Sequence, residues 1–373
     1  MNNKAVKNLV ITLSVIALIA FSVIFSDYFI KGLSAIAVIS AKSYMPFDGV
    51  TLPSFTSTTA ENTTTEITKE TTSEKKVSAS VTIEEKFTDT PEDIIKAMEE
   101  RKKTASKDKK DGGIYERQYK SEGVTDSFGS VRVKNVNKTG IDIEGILTEK
   151  IDLSVSKDKP SVLIFHTHTT ETFQILDRGF YETNFKTRTK DSALNMGRVG
   201  RAICEEIEKL GYNVIHDTEI HDLSYNEAYG HSRKKVEENL KKYPSIQIVL
   251  DVHRDGIADY DGSKIKPTAV IDGKKVAQVM IISGCQEEGN GITGYESWKE
   301  NLSFALKLQK EMEETFPGLT RPIFFCGRKY NMDMTKASLL LEVGSDSNTI
   351  EEAYYSGICI GKSLSQLLER VTE

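Results

Sequence analysis

The 373-residue chain has only four cysteines, Cys204, Cys285, Cys326 and Cys359, and no two of them form a CxxC pair. Such spacing excludes a dense disulfide framework and leaves the cysteines as small buried apolar residues. Positive charge is not in excess: 49 Lys and Arg stand against 55 Asp and Glu, a formal net charge of −6. The global basic field that nucleic-acid binding needs is therefore missing, and no nucleic-acid partner is expected. No segment repeats at a fixed period, so a repeat array is not expected either. Histidine is scarce, six in all, yet two sit one residue apart in "VLIFHTHTTETF", residues 162–173.

Beyond these scarcities, the chain carries a long uncharged run, "LVITLSVIALIAFSVIF" from Leu9 to Phe25, behind Lys4 and Lys7. A crossing needs roughly 17–25 residues, so this run nearly spans a hydrocarbon core by itself. It exceeds the h-region of a cleaved signal peptide and is followed by Asp27, Tyr28 and Lys31 rather than a small-residue cleavage site. An uncleaved single-pass anchor is expected, with the lysines cytoplasmic and the rest of the chain extracytoplasmic. The later "GLSAIAVISA" is too short to cross back.

Three regions follow from composition: a cytoplasmic start and anchor over 1–31, a low-complexity stalk over 32–119, and a folded domain over 120–373. Residues 51–80, "TLPSFTSTTAENTTTEITKETTSEKKVSAS", offer almost nothing to bury. A short helix is expected in "TPEDIIKAMEERKK", started at Thr90–Pro91, and "EERKKTASKDKKDGG" reads as a solvated charge run.

From about residue 120, short alternating stretches, "SVRVKNVN" and "GIDIEGILTEKIDLSV", read as strands. "PSVLIFH" is a continuous apolar run of the kind buried on both faces of a parallel sheet. Helical and strand periods then alternate: helix from Ser192 to a stop at Gly211, strand "YNVIHDT", helix "NEAYGHSRKKVEENLKKY", strands "SIQIVLDVH" and "VAQVMIISG". Helix "NLSFALKLQKEMEETF", strand "ASLLLEVG" and helix "IEEAYYSGICIGKSLSQLLERV" complete the chain. The alternation predicts an α/β domain with a mostly parallel, twisted sheet and helices on both faces.

In open α/β sheets ligands bind outside the carboxyl ends of the strands. Three metal-competent positions fall at such ends: His166 with His168, His253 in "LDVHRDG", and Glu342 in "LLLEVGS". If the chain stays extended, His166 and His168 point to one side. Neutral imidazoles with a carboxylate are donors that Zn2+ takes, and Glu342 is then the group that carries a proton from water to leaving group. The plainer reading leaves each histidine as a solvated strand end and Glu342 as a salt-bridge or helix-capping partner. His216, His221 and His231 read as structural or solvated.

"VLIFHTHTTETF", "DVHRDG", "GRKYNMD" at 327–333 and "LLLEVGSDSNTIEEA" resemble, in that order, the signatures of the stage II sporulation protein P family. The resemblance covers roughly residues 120–373 and implies an amidase-like fold and a zinc-dependent N-acetylmuramoyl-L-alanine amidase. Such an enzyme degrades septal peptidoglycan during forespore engulfment, with an additional cross-link endopeptidase activity credited to the family. It also implies a complex with a lytic transglycosylase and a second membrane protein of the engulfment machinery. Carried over residue by residue, it points to His253 and either His168 or His166 as metal ligands. Asp191 or Glu171 is the acidic ligand, and Glu342 the general base. Arg328 and Asn331 are left for substrate carboxylate or amide groups, and Arg254 for holding the stem peptide. Two rival classes remain, a wall-binding scaffold without catalysis and a zinc peptidase of other specificity.

Overall fold

The structure is a computed structural model and describes residue 87 and residues 89–372, apart from 260 and 287–291. The expected anchor at 9–25 and the Thr/Ser-rich stretch at 51–80 lie outside the described residues. Among the described residues no helix is long and apolar enough to cross a membrane.

Eight strands form the main sheet, in the spatial order β2 (Asp126–Phe128), β3 (Val131–Asn135), β11 (Ile323–Cys326), β10 (Val279–Gly284), β12 (Ala337–Ser345), β7 (Ile248–Asp255), β4 (Pro160–Phe165) and β6 (Asn213–His216). All neighbours run parallel except β2 with β3 and β10 with β12. The middle strands β7 and β12 are buried at every position because both faces are covered. Residues of alternate parity feed different cores. Val162, Ile164, Ile248, Leu250, Leu339, Leu341 and Val343 join one large cluster, with helices α3 (Met196–Lys209), α5 (Trp298–Thr315) and α6 (Ile350–Thr372) above it. Leu163, Phe165 and Val249 face the other way and meet Val236 of α4 (Ala228–Lys242). Helices on both faces are thus the consequence of period-two burial.

Close helix packing over the large face depends on missing side chains: a Cβ on Gly357 of α6 would stand 2.9 Å from Ala202 Cβ of α3. Leu341 of β12 is fully buried. Leu341→Ala is expected to cost about 2–5 kcal/mol, read from chemical denaturation. A change of under about 1 kcal/mol, the level of surface substitutions, would mean that β12 is not packed at the centre of the domain.

Several sequence expectations are corrected. "GIDIEGILTEK" is not a strand but carries the short helix α2 (Ile143–Thr148), started by Asp142, whose side chain accepts from Gly145 N. "VAQVMIISG" is two strands, β9 (Lys274–Ala277) and β10, parted at Gln278, whose side chain bonds Tyr119 N and O and Gly318 O. The folded body also begins before residue 120. Helix α1 (Glu92–Thr104) buries Ile94 in the main core, and Thr90 bonds Glu351 and Tyr355 of α6. Strand β1 (Lys110–Arg117) joins β5 (Phe180–Glu182), β8 (Lys264–Ile271) and β9 in a second, four-stranded sheet. One buried apolar residue in each, Ile94 and Ile114, anchors these polar segments, too few to show in composition.

Candidate active site at the strand ends

The chemistry-bearing side chains fall on the sheet face opposite the large core. Along β7 the residues Ile248, Leu250 and Val252 enter that core, so Asp251 and His253 point the other way. On β12 the same parity turns Leu340 and Glu342 away from Leu339, Leu341 and Val343. Glu342 and His253 are direct partners in the β12–β7 register. Neighbouring strands hold a carboxylate and an imidazole side by side, and both are buried, at 1% and 0% exposure.

His168 reaches this face from a loop. Strand β4 ends at Phe165, and residues 167–170 turn. Thr167 fixes the turn: its N–H donates to Asp251 Oδ1 at 2.8 Å and its hydroxyl to Asp251 Oδ2 at 2.7 Å. The His168 ring then lies 5.3 Å from the His253 ring, nearly perpendicular, and stacks flat on Tyr225 at 4.7 Å. Glu171 closes the group, with Oε2 3.8 Å from His253 Nδ1 and accepting from Arg254 N at 3.3 Å. Arg188 stands beside its other oxygen at 3.9 Å, is paired with Asp222 and covers the Tyr225 ring.

The electrostatics separate these groups. Burial would depress the His253 imidazole, but the Asp251 carboxylate, helped by Glu171 and Glu342, overrides it and lifts the pKa to about 9. His168 lacks such a partner; burial, with His253 and Arg188 adding to it, lowers it to about 3. Glu342 is pushed up to about 8, first by burial and then by Asp255 and Glu171. Burial also raises the Tyr229 hydroxyl well above its ordinary range, reinforced by Asp251, Tyr330, Glu342 and Glu171.

The residues fit a divalent cation in one respect and stop short in another. Both ring nitrogens of His168, both of His253 and both oxygens of Glu342 are buried without an aligned hydrogen bond among the described residues. Burying so many polar atoms unsatisfied is costly unless something meets them. Tetrahedral zinc with ligands at about 2.1 Å holds two donors roughly 3.4 Å apart, close to the 3.8 Å between His253 and Glu171. Yet among the described residues no three His, Cys, Asp or Glu side chains already form a closed cage. His168, His253 and Glu171 are a donor set of the right chemistry. Asp251 backs it: its Oδ1 lies 2.7 Å from His253 Nε2, in contact though poorly aligned, where an outer-shell carboxylate orients a ligating imidazole. Asp251→Asn is expected to weaken zinc binding about 10–100-fold in a competition with a chromophoric chelator, and unchanged affinity would leave Asp251 a purely structural residue.

Other expected site residues sit elsewhere. His166 does not share a side with His168, because β4 has ended at Phe165 and the chain turns from Thr167. It keeps the parity of Ile164 and lies under α3, its Nδ1 2.8 Å from Val252 O and its Nε2 3.0 Å from His216 Nε2. Gly200 makes room there, since a Cβ would come within 2.5 Å of both imidazoles. Asp191 is exposed and accepts from Ala193 N at the approach to α3. Arg254 is bound by backbone carbonyls of Thr172, Thr187 and Asp255, so it straps the 171–188 loop to β7 rather than reaching for substrate. Asn331 ties its loop to α4 through Tyr229 O and Ser232 Oγ. Arg328 is partly buried beside Tyr330. Unexpected from sequence were Asp251 and Tyr229. "DVH" offered the signal for the first, whereas nothing in "NEAYGHS" marks the second.

Together these features define an α/β protein whose strand ends carry a buried imidazole–carboxylate centre. The family model "Stage II sporulation protein P" matches residues 45–365, and the chain belongs to that family. A curated relative, stage II sporulation protein P of Bacillus subtilis (strain 168), is 31% identical over 207 residues, covering 52% of this chain and 48% of that protein. The chain spans about half the length of that relative. Among solved structures, N-acetylmuramoyl-L-alanine amidase AmiC2 of Nostoc punctiforme aligns at 10% identity over 58% of this chain and 100% of that one, with a TM-score of 0.33. The CwlD amidase from Clostridioides difficile, in complex with the GerS lipoprotein, aligns at 14% over 56% and 99%, with a TM-score of 0.34. Similarity this low says nothing of chemistry.

Proposed function

We propose that this chain is a membrane-anchored peptidoglycan hydrolase of sporulation, cleaving the amide between N-acetylmuramic acid and L-alanine of the stem peptide. The observation that carries the reading is the convergence of His168, His253 and Glu342, buried and without aligned hydrogen bonds among the described residues, on one sheet face of a stage II sporulation protein P family member. His168, His253 and Glu171 would hold Zn2+, with Asp251 behind His253. Bound there, zinc supplies Lewis acidity and a water acidified to a pKa near about 7. Glu342 takes the proton of the attacking water and returns it to the departing amine of L-alanine. Buried in register with His253, that carboxyl group is placed to hold the proton between the two steps. Arg328 binds a stem-peptide carboxylate. The work takes place at the sporulation septum, with the lytic transglycosylase and the second membrane protein of the engulfment complex as partners.

The test is mass spectrometry of products from purified sacculi treated with the zinc-loaded full-length protein in detergent. Free stem peptides beside intact glycan strands support the amidase. Cuts confined to the peptide make it a zinc peptidase, and zinc binding without products makes it a wall-binding scaffold.

A further inference from the structure

The Tyr229 hydroxyl is buried and has no hydrogen-bond partner among the described residues. Buried tyrosine hydroxyls normally find one, so the orphan marks a place where something else arrives. Its ring lies near-parallel to His253 at 6.4 Å, edge-on to His168 at 5.8 Å and stacked on Tyr330 at 5.5 Å. The position is enforced from two sides. Tyr229 belongs to the first turn of α4, and its backbone carbonyl is held by Asn331 Nδ2 at 3.0 Å. Tyr330 and Asn331 both adopt left-handed backbone conformations, φ 39° and 58°, familiar for an asparagine but uncommon for a tyrosine, which is held there by its surroundings. The strained loop thus clamps the start of α4 against the imidazoles. A phenol is a neutral donor at physiological pH.

Resting on the amidase reading, we infer that Tyr229 is a further catalytic residue, its hydroxyl donating a hydrogen bond to the carbonyl oxygen of the scissile amide as negative charge builds there. The lactyl carbonyl must lie between the imidazoles and Glu342 for water to attack it. The ring beside both imidazoles carries a buried, unpartnered hydroxyl, the protein's own donor near that place. It takes no proton and gives none up; the water proton still travels through Glu342 to the amine.

The experiment compares wild type with Tyr229→Phe, both full length and zinc-loaded in detergent, on purified sacculi. Zinc stoichiometry and thermal midpoint are measured on the same samples. Removing one such donor is expected to lower kcat roughly 10²- to 10³-fold with KM little changed. Zinc content should be unaltered and the midpoint no lower, because the change deletes only an unpartnered hydroxyl. Wild-type kcat in the variant overturns the inference. So does a kcat loss that tracks loss of zinc or a fall in midpoint, which assigns Tyr229 to packing. A wild type that holds zinc and frees no stem peptide removes the amidase reading itself and this role with it. That outcome is distinct from an active wild type matched by its variant.

Discussion

Glu342→Gln is expected to lower amide hydrolysis by roughly 10²- to 10⁴-fold while leaving zinc content unchanged. The amide keeps the shape of the carboxyl group and its place beside His253 in the β12–β7 register, but it cannot accept a proton at working pH. A second consequence separates this residue from an ordinary core position. In the metal-free protein the Glu342 carboxyl titrates near about 8, far above its ordinary range, because burial and the neighbouring Asp255 and Glu171 oppose its charge. A group raised in the folded state contributes stability that is fully present below its unfolded pKa and is lost as pH rises through the folded one. The cost of ionising Glu342 therefore accumulates between about pH 4.5 and 8. The metal-free Gln variant should gain on wild type over that window and melt higher at pH 8. Thermal melts across pH and a zinc assay check both halves. An active variant removes Glu342 from the chemistry.

His253→Ala should be the most damaging single change to metal binding. It removes an imidazole that lies next to both Glu171 and Glu342, and the loss of affinity should exceed the roughly 10–100-fold that follows from losing an outer-shell partner. The variant also leaves Asp251 buried without its cation, although Thr167 still donates to both its oxygens. Breaking a buried pair in this way costs about 3–5 kcal/mol, so the metal-free variant should unfold at lower denaturant. Zinc retained at wild-type affinity would place the metal, if any, elsewhere in the molecule.

Much of the fold could be read from periodicity because the central strands are buried on both faces and the helices carry a clear 3.6-residue pattern. β4, β7 and β12 lie where their apolar runs put them, and α6 begins at Ile350, the first residue of "IEEAYYSG". The four-stranded sheet escaped notice. β1 exposes most of its length and buries Ile114 alone, so its hydrogen bonds to β5 and β8, rather than any hydrophobic pattern, define it. The α1 segment likewise looks like stalk until Ile94 is seen in the core.

The site divides in the same way. His253 and Glu342 were legible because strand parity and the carboxyl-end rule act locally, within a few residues of each. His166 and His168 could not be told apart, because the choice depends on where β4 ends, and that is decided by Asp251, a residue 84 positions away, bonding Thr167. Arg254 looked like a substrate ligand until its guanidinium was found spent on three backbone carbonyls, two of them, Thr172 and Thr187, in a segment that the sequence does not place. Sequence alone determined the type of the long, strongly periodic elements, the α/β class and which strand ends carry donor groups, since these depend on period and neighbouring residues. Only the tertiary structure decided which donors meet, which are already satisfied, and that the Tyr229 hydroxyl has no partner, because burial and hydrogen bonding depend on contacts between residues far apart in the chain.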